Sequence, residues 1–281
     1  KTKKVPIYKK PAFWLAIAAT AVILVLIIWI AVALSTEVFT IRKPDATESP
    51  VSQAAPEETE EPTLPPPPEN PYGTADFDIN EETGEITLTS GNASKGIDVS
   101  EWQGEIDWQQ VKDAGVEFVI IRVGGRGTTE GGLYTDAYAQ SYYEGATAVG
   151  LKVGAYLFSQ SITVEEAVNE AKFVLVQVKD WDVQMPLVFD WEYVGEDVRT
   201  SKMDSRTLTD MAKAFCDTIA AAGYEPMIYF GRNQSMNMMK LEELVDYPFW
   251  LAMYSTIMDY PYKVDMWQYT DQGTVPGIEG N

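Results

Sequence analysis

The chain of 281 residues has no histidine and a single cysteine, Cys216. Without imidazole there is no Ser-His-Asp triad, no Cys-His dyad and no histidine-ligated zinc. One cysteine forms neither an internal disulfide nor a cysteine metal cluster. Its setting, LTDMAKAFCDTIAAAG, has helical spacing and points to a small core residue rather than a nucleophile. Basic residues are scarce as well: 21 Lys and Arg stand against 42 Asp and Glu. Residues 91–281 alone carry 14 basic and 29 acidic side chains. A surface that acidic repels nucleic acid, so no nucleic-acid partner is expected. Acid–base chemistry then falls to carboxylates, tyrosines or lysines.

The charge that is present is unevenly placed. Lys1, Lys3, Lys4, Lys9 and Lys10 precede AFWLAIAATAVILVLIIWIAVAL, residues 12–34, which is 23 residues without a charge. At about 1.5 Å per residue that run spans roughly the 30 Å of a bilayer core. It is longer than a signal peptide's apolar region, and positive charge stays in the cytoplasm. The expected order is a cytoplasmic tail (1–11), a single membrane anchor (12–34) and an extracytoplasmic remainder on the cell-wall side. Residues 44–72 hold nine of the sixteen prolines, interleaved with glutamates, as in PTLPPPPENP. Such a composition cannot bury a core and favours polyproline II, so residues 35–72 are predicted to be a disordered spacer. Residues 73–94 contain FDINEETGEITLT, a hairpin pattern around Glu82-Thr83-Gly84 that forms a short lead-in. The chain does not begin with methionine and stops in mid-pattern at PGIEGN, so a fragment at both ends is expected.

From Lys95 to Asn281 short apolar runs alternate with amphipathic helices. Strands are predicted at 96–100, 118–124, 153–159, 186–193, 226–231, 249–255 and 264–270. Asp107 with Gln110, and Thr163 with Glu166, are capping-box signals for two of the helices. Alternation of this kind means parallel pairing with right-handed crossovers. Seven strands suit a modified (β/α) TIM-like barrel better than a flat doubly wound sheet. The glycines of VGGRGTTEGG, residues 123–132, lack P-loop spacing and are read as turn formers in a loop.

Within PLVFDWEY, residues 186–193, two acids interrupt an apolar strand. Asp190 and Glu192, two apart, point to one face with Cα atoms roughly 6.6 Å apart. Asp98 ends the first strand, and in (β/α) barrels the site lies at the C-terminal strand ends. A single acid there is more often an arginine's partner or a solvated strand end. Clustered acids cost energy unless used, because repulsion raises one pKa and sets an acid beside a base. That pairing suits glycosidic bond cleavage. A divalent metal site is the competing chemistry, but no further motif supports it, and neither a metal nor a cofactor is expected. Arg122, inside FVIIRVG, is read as a buried partner for one of the acids. Trp102, Tyr156, Trp191, Tyr193, Tyr229, Tyr254, Trp267 and Tyr269 fall in or just after strands. About half of these should be core. Those at strand ends offer flat apolar faces for a sugar, and Tyr156, Tyr229, Trp102, Tyr254 and Trp267 are the candidates.

The motifs GIDVSEWQG, IDWQQVKDAGVEFVIIRVG, LYTDAYAQSYYEGATAVGLKVGAYLFS, PLVFDWE, FWLAMYS and DMWQYT…GTVPGI occur in that order. In them residues 95–281 resemble the glycoside hydrolase family 25 muramidases, the Chalaropsis-type lysozymes. The resemblance implies hydrolysis of the β-1,4 bond between N-acetylmuramic acid and N-acetylglucosamine in peptidoglycan glycan strands. It implies Glu192 as proton donor, Asp190 as the residue that stabilises or orients the reacting centre, and Asp98 as a supporting acid. Two departures stand out. The family pattern continues past PGI-x-G into an acid-bearing last strand, V-D-x-N; the sequence stops at Asn281 without it, and truncation is the expected reason. Many members also carry histidine where this chain has Leu157, which predicts altered subsite contacts. A non-catalytic glycan-binding module on the same barrel is the alternative function. A chitinase-like hydrolase also ends its fourth strand in D-x-E, but here Val188 rather than an acid precedes Asp190.

Overall fold

The computed structural model describes residues 64–280. The basic tail, the expected anchor at 12–34 and most of the spacer lie outside them. Among the described residues no helix is long and apolar enough to cross a membrane.

The lead-in is the expected hairpin, β1 (Phe77–Ile79) antiparallel to β2 (Ile86–Leu88). The main domain runs β3 (Gly96–Val99), α1 (Trp108–Asp113), β4 (Phe118–Arg126), β5 (Leu133–Thr135) and α2 (Ala139–Ala148). It continues with β6 (Lys152–Ser159), α3 (Val164–Gln177), β7 (Leu187–Trp191) and α4 (Ser205–Ala221). Last come β8 (Pro226–Gly231), α5 (Arg232–Asn237), β9 (Phe249–Ala252) and β10 (Met266–Gln268). All seven predicted strands are present, in the order β10-β9-β8-β7-β6-β4-β3, and every pairing along that path is parallel.

The modified barrel takes the form of a curled parallel half-barrel. Backbone pairing stops at β10 and at β3, yet the two end strands meet through side chains. Gln268 on β10 donates from Nε2 to Asp98 Oδ2 on β3 at 2.9 Å. Ile106 and Ile278 also form an isolated antiparallel bridge, and Asp107 N–H donates to Gly277 O.

Strand periodicity explains the two separate cores. Alternate residues of each strand face opposite sides. Phe118, Ile120, Val188, Met227, Tyr229 and Trp250 fill the concave side as one cluster. Val119, Ile121, Val153, Leu157, Leu187, Phe189, Ile228, Phe230 and Leu251 join the larger cluster beneath the helices. Helix α4 meets that cluster with Leu208, Met211, Ala212, Phe215, Cys216 and Ile219, a stripe at helical spacing. Cys216 is thus the buried core residue its context predicts. Asp107 and Thr163 cap α1 and α3 as expected. The side chain of Glu166, however, reaches back to Ile162 N–H rather than to the cap residue.

Two readings of the sequence change. The glycine run does not leave the strand at once. Gly124 and Gly125 belong to β4, and β5 folds back antiparallel upon them. A Cβ on Gly124 would lie 2.1 Å from Tyr134 O, so the close approach of the β5 backbone requires that glycine, while one on Gly125 would meet the Tyr134 hydroxyl at 2.5 Å and displace the ring. Only residues 127–132 form the turn, closed by Gly127 N–H to Gly132 O. The spacer also ends earlier than residue 72. Pro68 O accepts from Lys263 N–H, and Asn70 N–H donates to Pro261 O, so this strap lies along the β9–β10 connection. Asn70 Nδ2 adds a bond to Tyr260 O at 3.1 Å, and its Oδ1 accepts from Tyr72 N–H. Asn70→Ala is expected to cost about 1–2 kcal/mol, the worth of two partly exposed hydrogen bonds. A urea midpoint unchanged in that variant would show that the strap contributes nothing.

Candidate active site

The concave face carries its polar residues in one layer at the C-terminal strand ends: Asp98 on β3, Arg122 on β4, Tyr156 on β6, Asp190 on β7, Tyr229 on β8 and Gln268 on β10. Parallel pairing sets Asp190 beside Phe158 and Tyr229, so the acid stands between aromatic neighbours. Glu192 follows one residue past the end of β7, on Asp190's face. Asp190 is 4% exposed, and its Oδ1 has no hydrogen-bond partner among the described residues.

The electrostatics follow from burial. Asp190 is held well above the usual carboxylate range, first by loss of solvent and then by the charges of Glu192 and Asp98. Glu192 is raised too, first by burial, with its hydrogen bond to Asp190 acting the other way and Asp98 adding to the rise. Two carboxyl groups buried side by side favour holding a single proton between them, so the pair suits one acid beside one base. Asp98 is also raised by burial, offset by the Gln268 amide. The three predicted acids therefore do converge on one cleft.

Three of the five predicted aromatic candidates join them. Tyr156 is pushed up by burial and then by the charges of Asp98 and Asp190, so its phenol feels both acids. Tyr229 Oη donates to Gln268 Oε1 at 2.9 Å, and Tyr254 Oη donates to the same oxygen at 3.2 Å. Trp102 lies in the 3-10 turn after β3, 79% exposed at the rim. Trp267 is the exception. Successive strand residues alternate sides, and Gln268 takes the inward position. Trp267 therefore packs on the outer core, edge-on to Phe77 of the hairpin at 5.3 Å, and donates Nε1–H to Met253 O. Alternation likewise removes Leu157 from the cleft. It is fully buried under the helices, so its side chain does not alter subsite contacts as expected.

Arg122 is a buried ion partner, but not of the catalytic candidates. Its Nε donates to Asp136 Oδ2 at 2.7 Å and its Nη2 to Glu101 Oε1 at 2.9 Å. Asp136 in turn accepts from the N–H groups of Glu101 and Tyr138. The guanidinium still acts on the pair from a distance, lowering Asp190 against the larger upward effects.

The sequence reading missed two cleft residues. Gln268 sits within the quoted DMWQYT motif, and its signal was a polar residue in an inward strand position between two tryptophan and tyrosine neighbours. Tyr134 is carried by the short arm formed by β5. Its hydroxyl lies over Gly125, and Arg122 and Asp190 both act on it electrostatically.

Comparison with known proteins shows the family. Residues 97–278 match the family described as Glycosyl hydrolases family 25. The "Autolytic lysozyme" of Clostridium acetobutylicum is 28% identical over 191 residues, covering 66% of this chain and 53% of that protein. The uncharacterized protein YegX of Escherichia coli K12 is 30% identical over 209 residues, covering 69% and 70%. The modular autolysin LytC of Streptococcus pneumoniae, also solved with a synthetic peptidoglycan ligand, superposes with a TM-score of 0.60 at 26% identity. That superposition covers 73% of this chain and 48% of LytC, so the chain spans about half the length of each lytic relative. A family match extending from β3 to the end of the half-barrel means that the chain belongs to glycosyl hydrolases family 25.

Proposed function

We propose that the chain is a peptidoglycan hydrolase that cleaves the β-1,4 bond between N-acetylmuramic acid and N-acetylglucosamine. The observation that carries this reading is the convergence of Asp98, buried Asp190 and Glu192 at the C-terminal strand ends, where burial and mutual repulsion favour one proton held between Asp190 and Glu192. The shared proton is drawn to Asp190, the deeper of the two. It moves along their hydrogen bond to Glu192 as Asp190 becomes the counter-charge for the anomeric carbon. Glu192 then protonates the glycosidic oxygen as the C–O bond breaks, and Asp190 and Asp98 stabilise the oxocarbenium-like centre. Glu192, now a carboxylate, takes a proton from the water that adds to the anomeric carbon, which restores the pair. Because the pair is raised, the alkaline limb of the pH–rate profile is expected above the usual carboxylate value of about 4.

The exposed rings supply binding that an acidic surface cannot supply by charge. Tyr134 on the β5 arm, Trp102 and Tyr254 are the exposed rings nearest the acids in this reading. Tyr134→Ala is expected to raise KM for peptidoglycan fragments about 3- to 10-fold with kcat little changed, as for loss of a stacking contact. The lysine-flanked run at 12–34 supports a membrane-anchored enzyme whose catalytic domain faces the wall. Fractionation of cells expressing chains with and without residues 1–34 tests that placement.

The decisive experiment is digestion of purified peptidoglycan, with reducing-end analysis of the products. New reducing ends at N-acetylmuramic acid are expected. Binding to glycan without release of any fragment would instead make this barrel a glycan-binding module. Release of chitin oligomers but not peptidoglycan fragments would assign the chitinase-like alternative.

A further inference from the structure

Glu192 lies just past the point where β7 leaves the sheet. Pairing with β6 ends at Ser159 and Trp191, and pairing with β8 ends at Asp190 and Tyr229. From Trp191 onward the ladder no longer satisfies the backbone carbonyls, although Trp191 is fully buried. Buried carbonyls must find donors, and here two buried glutamines supply them. Gln234, in α5, donates from Nε2 to Trp191 O at 2.7 Å. Gln160, just past β6, donates from Nε2 to Glu192 O at 2.8 Å and to Ser159 O at 2.9 Å.

Each amide is held at its other end. Gln234 Oε1 accepts from Gly231 N–H at 2.7 Å. Gln160 Oε1 accepts from the Thr200 hydroxyl at 3.1 Å, and Gln160 O accepts from Arg199 Nη1. A third bond, from Trp191 Nε1–H to Ser161 O at 3.1 Å, fixes the indole on the opposite face of the strand from the two acids. The two peptides on either side of the Glu192 Cα are thereby clamped, one from the end of each neighbouring strand.

We infer that Gln160 and Gln234 are positioning residues that fix the backbone on both sides of Glu192 and so hold its carboxyl in place beside Asp190. They touch neither the substrate nor the reacting atoms. A proton-transfer pair is sensitive to placement, and about 1 Å of misalignment can cost 10²-fold in rate. The inference rests on the hydrolase reading.

The test uses the full chain, Gln160→Met and Gln234→Met, which keep side-chain length but remove the amide, and peptidoglycan fragments as substrate. Circular dichroism and thermal melts confirm folding. The clamp predicts that kcat falls 10-fold or more in each variant while KM stays within about 3-fold. It also predicts that the alkaline limb of the pH–rate profile moves, because the pair no longer shares its proton in the same geometry. A merely structural role would lower the melting temperature without moving that limb. Folded variants with kcat within 2-fold of wild type and an unmoved limb overturn the inference. Should Gln160→Met fail to fold, Thr200→Val decides: it frees the Gln160 amide while leaving both carbonyls their donors. A kcat loss of at least 3-fold in Thr200→Val sustains the clamp, and an unchanged kcat overturns it. A wild-type chain that releases no fragments refutes the hydrolase reading instead, which separates the two failures.

Discussion

Glu192→Gln is expected to lose at least about 10²-fold, and up to about 10⁴-fold, of peptidoglycan hydrolysis, the range that general acid catalysis contributes. The same variant should be more stable than the wild type at pH 7. Burial and neighbouring carboxylates raise Glu192 and Asp190 above their ordinary values. A raised acid contributes stability that is fully present below its unfolded pKa and is lost as pH rises through its folded pKa. At pH 7 the wild-type fold therefore holds a crowded, desolvated pair, and a neutral amide at 192 relieves it. The gain should shrink as pH falls toward the ordinary glutamate value of about 4. Urea midpoints at several pH values, beside fragment release, measure both effects. A variant that is inactive but no more stable at pH 7 would mean that the acids are not the strained cluster described above. Residual activity near wild type would remove Glu192 from its role altogether. A loss of function that accompanies a gain in stability is a common mark of side chains kept for chemistry.

Glu170→Ala should be the most destabilising single change outside the core. Glu170 on α3 is completely buried and meets Arg126 Nε at 2.6 Å and the Ser159 hydroxyl at 2.6 Å. Burial pushes its pKa up, while Ser159 and Arg126 pull it back. Arg126 is itself buried, and Glu166 stands farther off at 3.8 Å. Removing Glu170 leaves that guanidinium with the carbonyls of Gly131 and Glu166 and one distant carboxylate. Breaking a buried pair by deleting one partner costs about 3–5 kcal/mol. Equilibrium unfolding of the purified variant gives the number directly. A loss under about 1 kcal/mol would show that Glu166 or solvent takes over the arginine. The double variant Arg126→Met with Glu170→Met should recover much of the loss, because an apolar pair of similar volume leaves no stranded charge.

Strand positions were legible in the sequence, since apolar runs bounded by glycine and helix caps mark them without reference to the rest of the fold. So was the convergence of Asp98, Asp190 and Glu192, which needs only strand order and the polarity of a parallel sheet. Closure was not legible. Alternation of apolar residues says which faces are buried but says nothing of whether the edges of β3 and β10 pair. The same limit explains Trp267 and Gln268. They are sequence neighbours on opposite faces, and choosing the larger ring over the amide chose the wrong face. The arm that bears Tyr134 is a three-residue strand, too short for periodicity to register. Arg122's partners were hidden for another reason: Asp136 and Glu101 lie on different segments, and only the folded chain brings them together.

The bond between Gln268 and Asp98 has a consequence for how lineages of such barrels can drift. A ladder of backbone pairs tolerates nearly any side chain, whereas this rim is fastened by two particular ones. Asp98 thus serves the shape of the groove as well as its charge. A descendant that gave up cleavage and kept only its grip on glycan would still have reason to retain Asp98. Glu192 is under no such double obligation, since its carboxyl fastens no strand. In a sister sequence the surviving aspartate would say little about activity, and the identity of the residue at 192 would be the one to inspect.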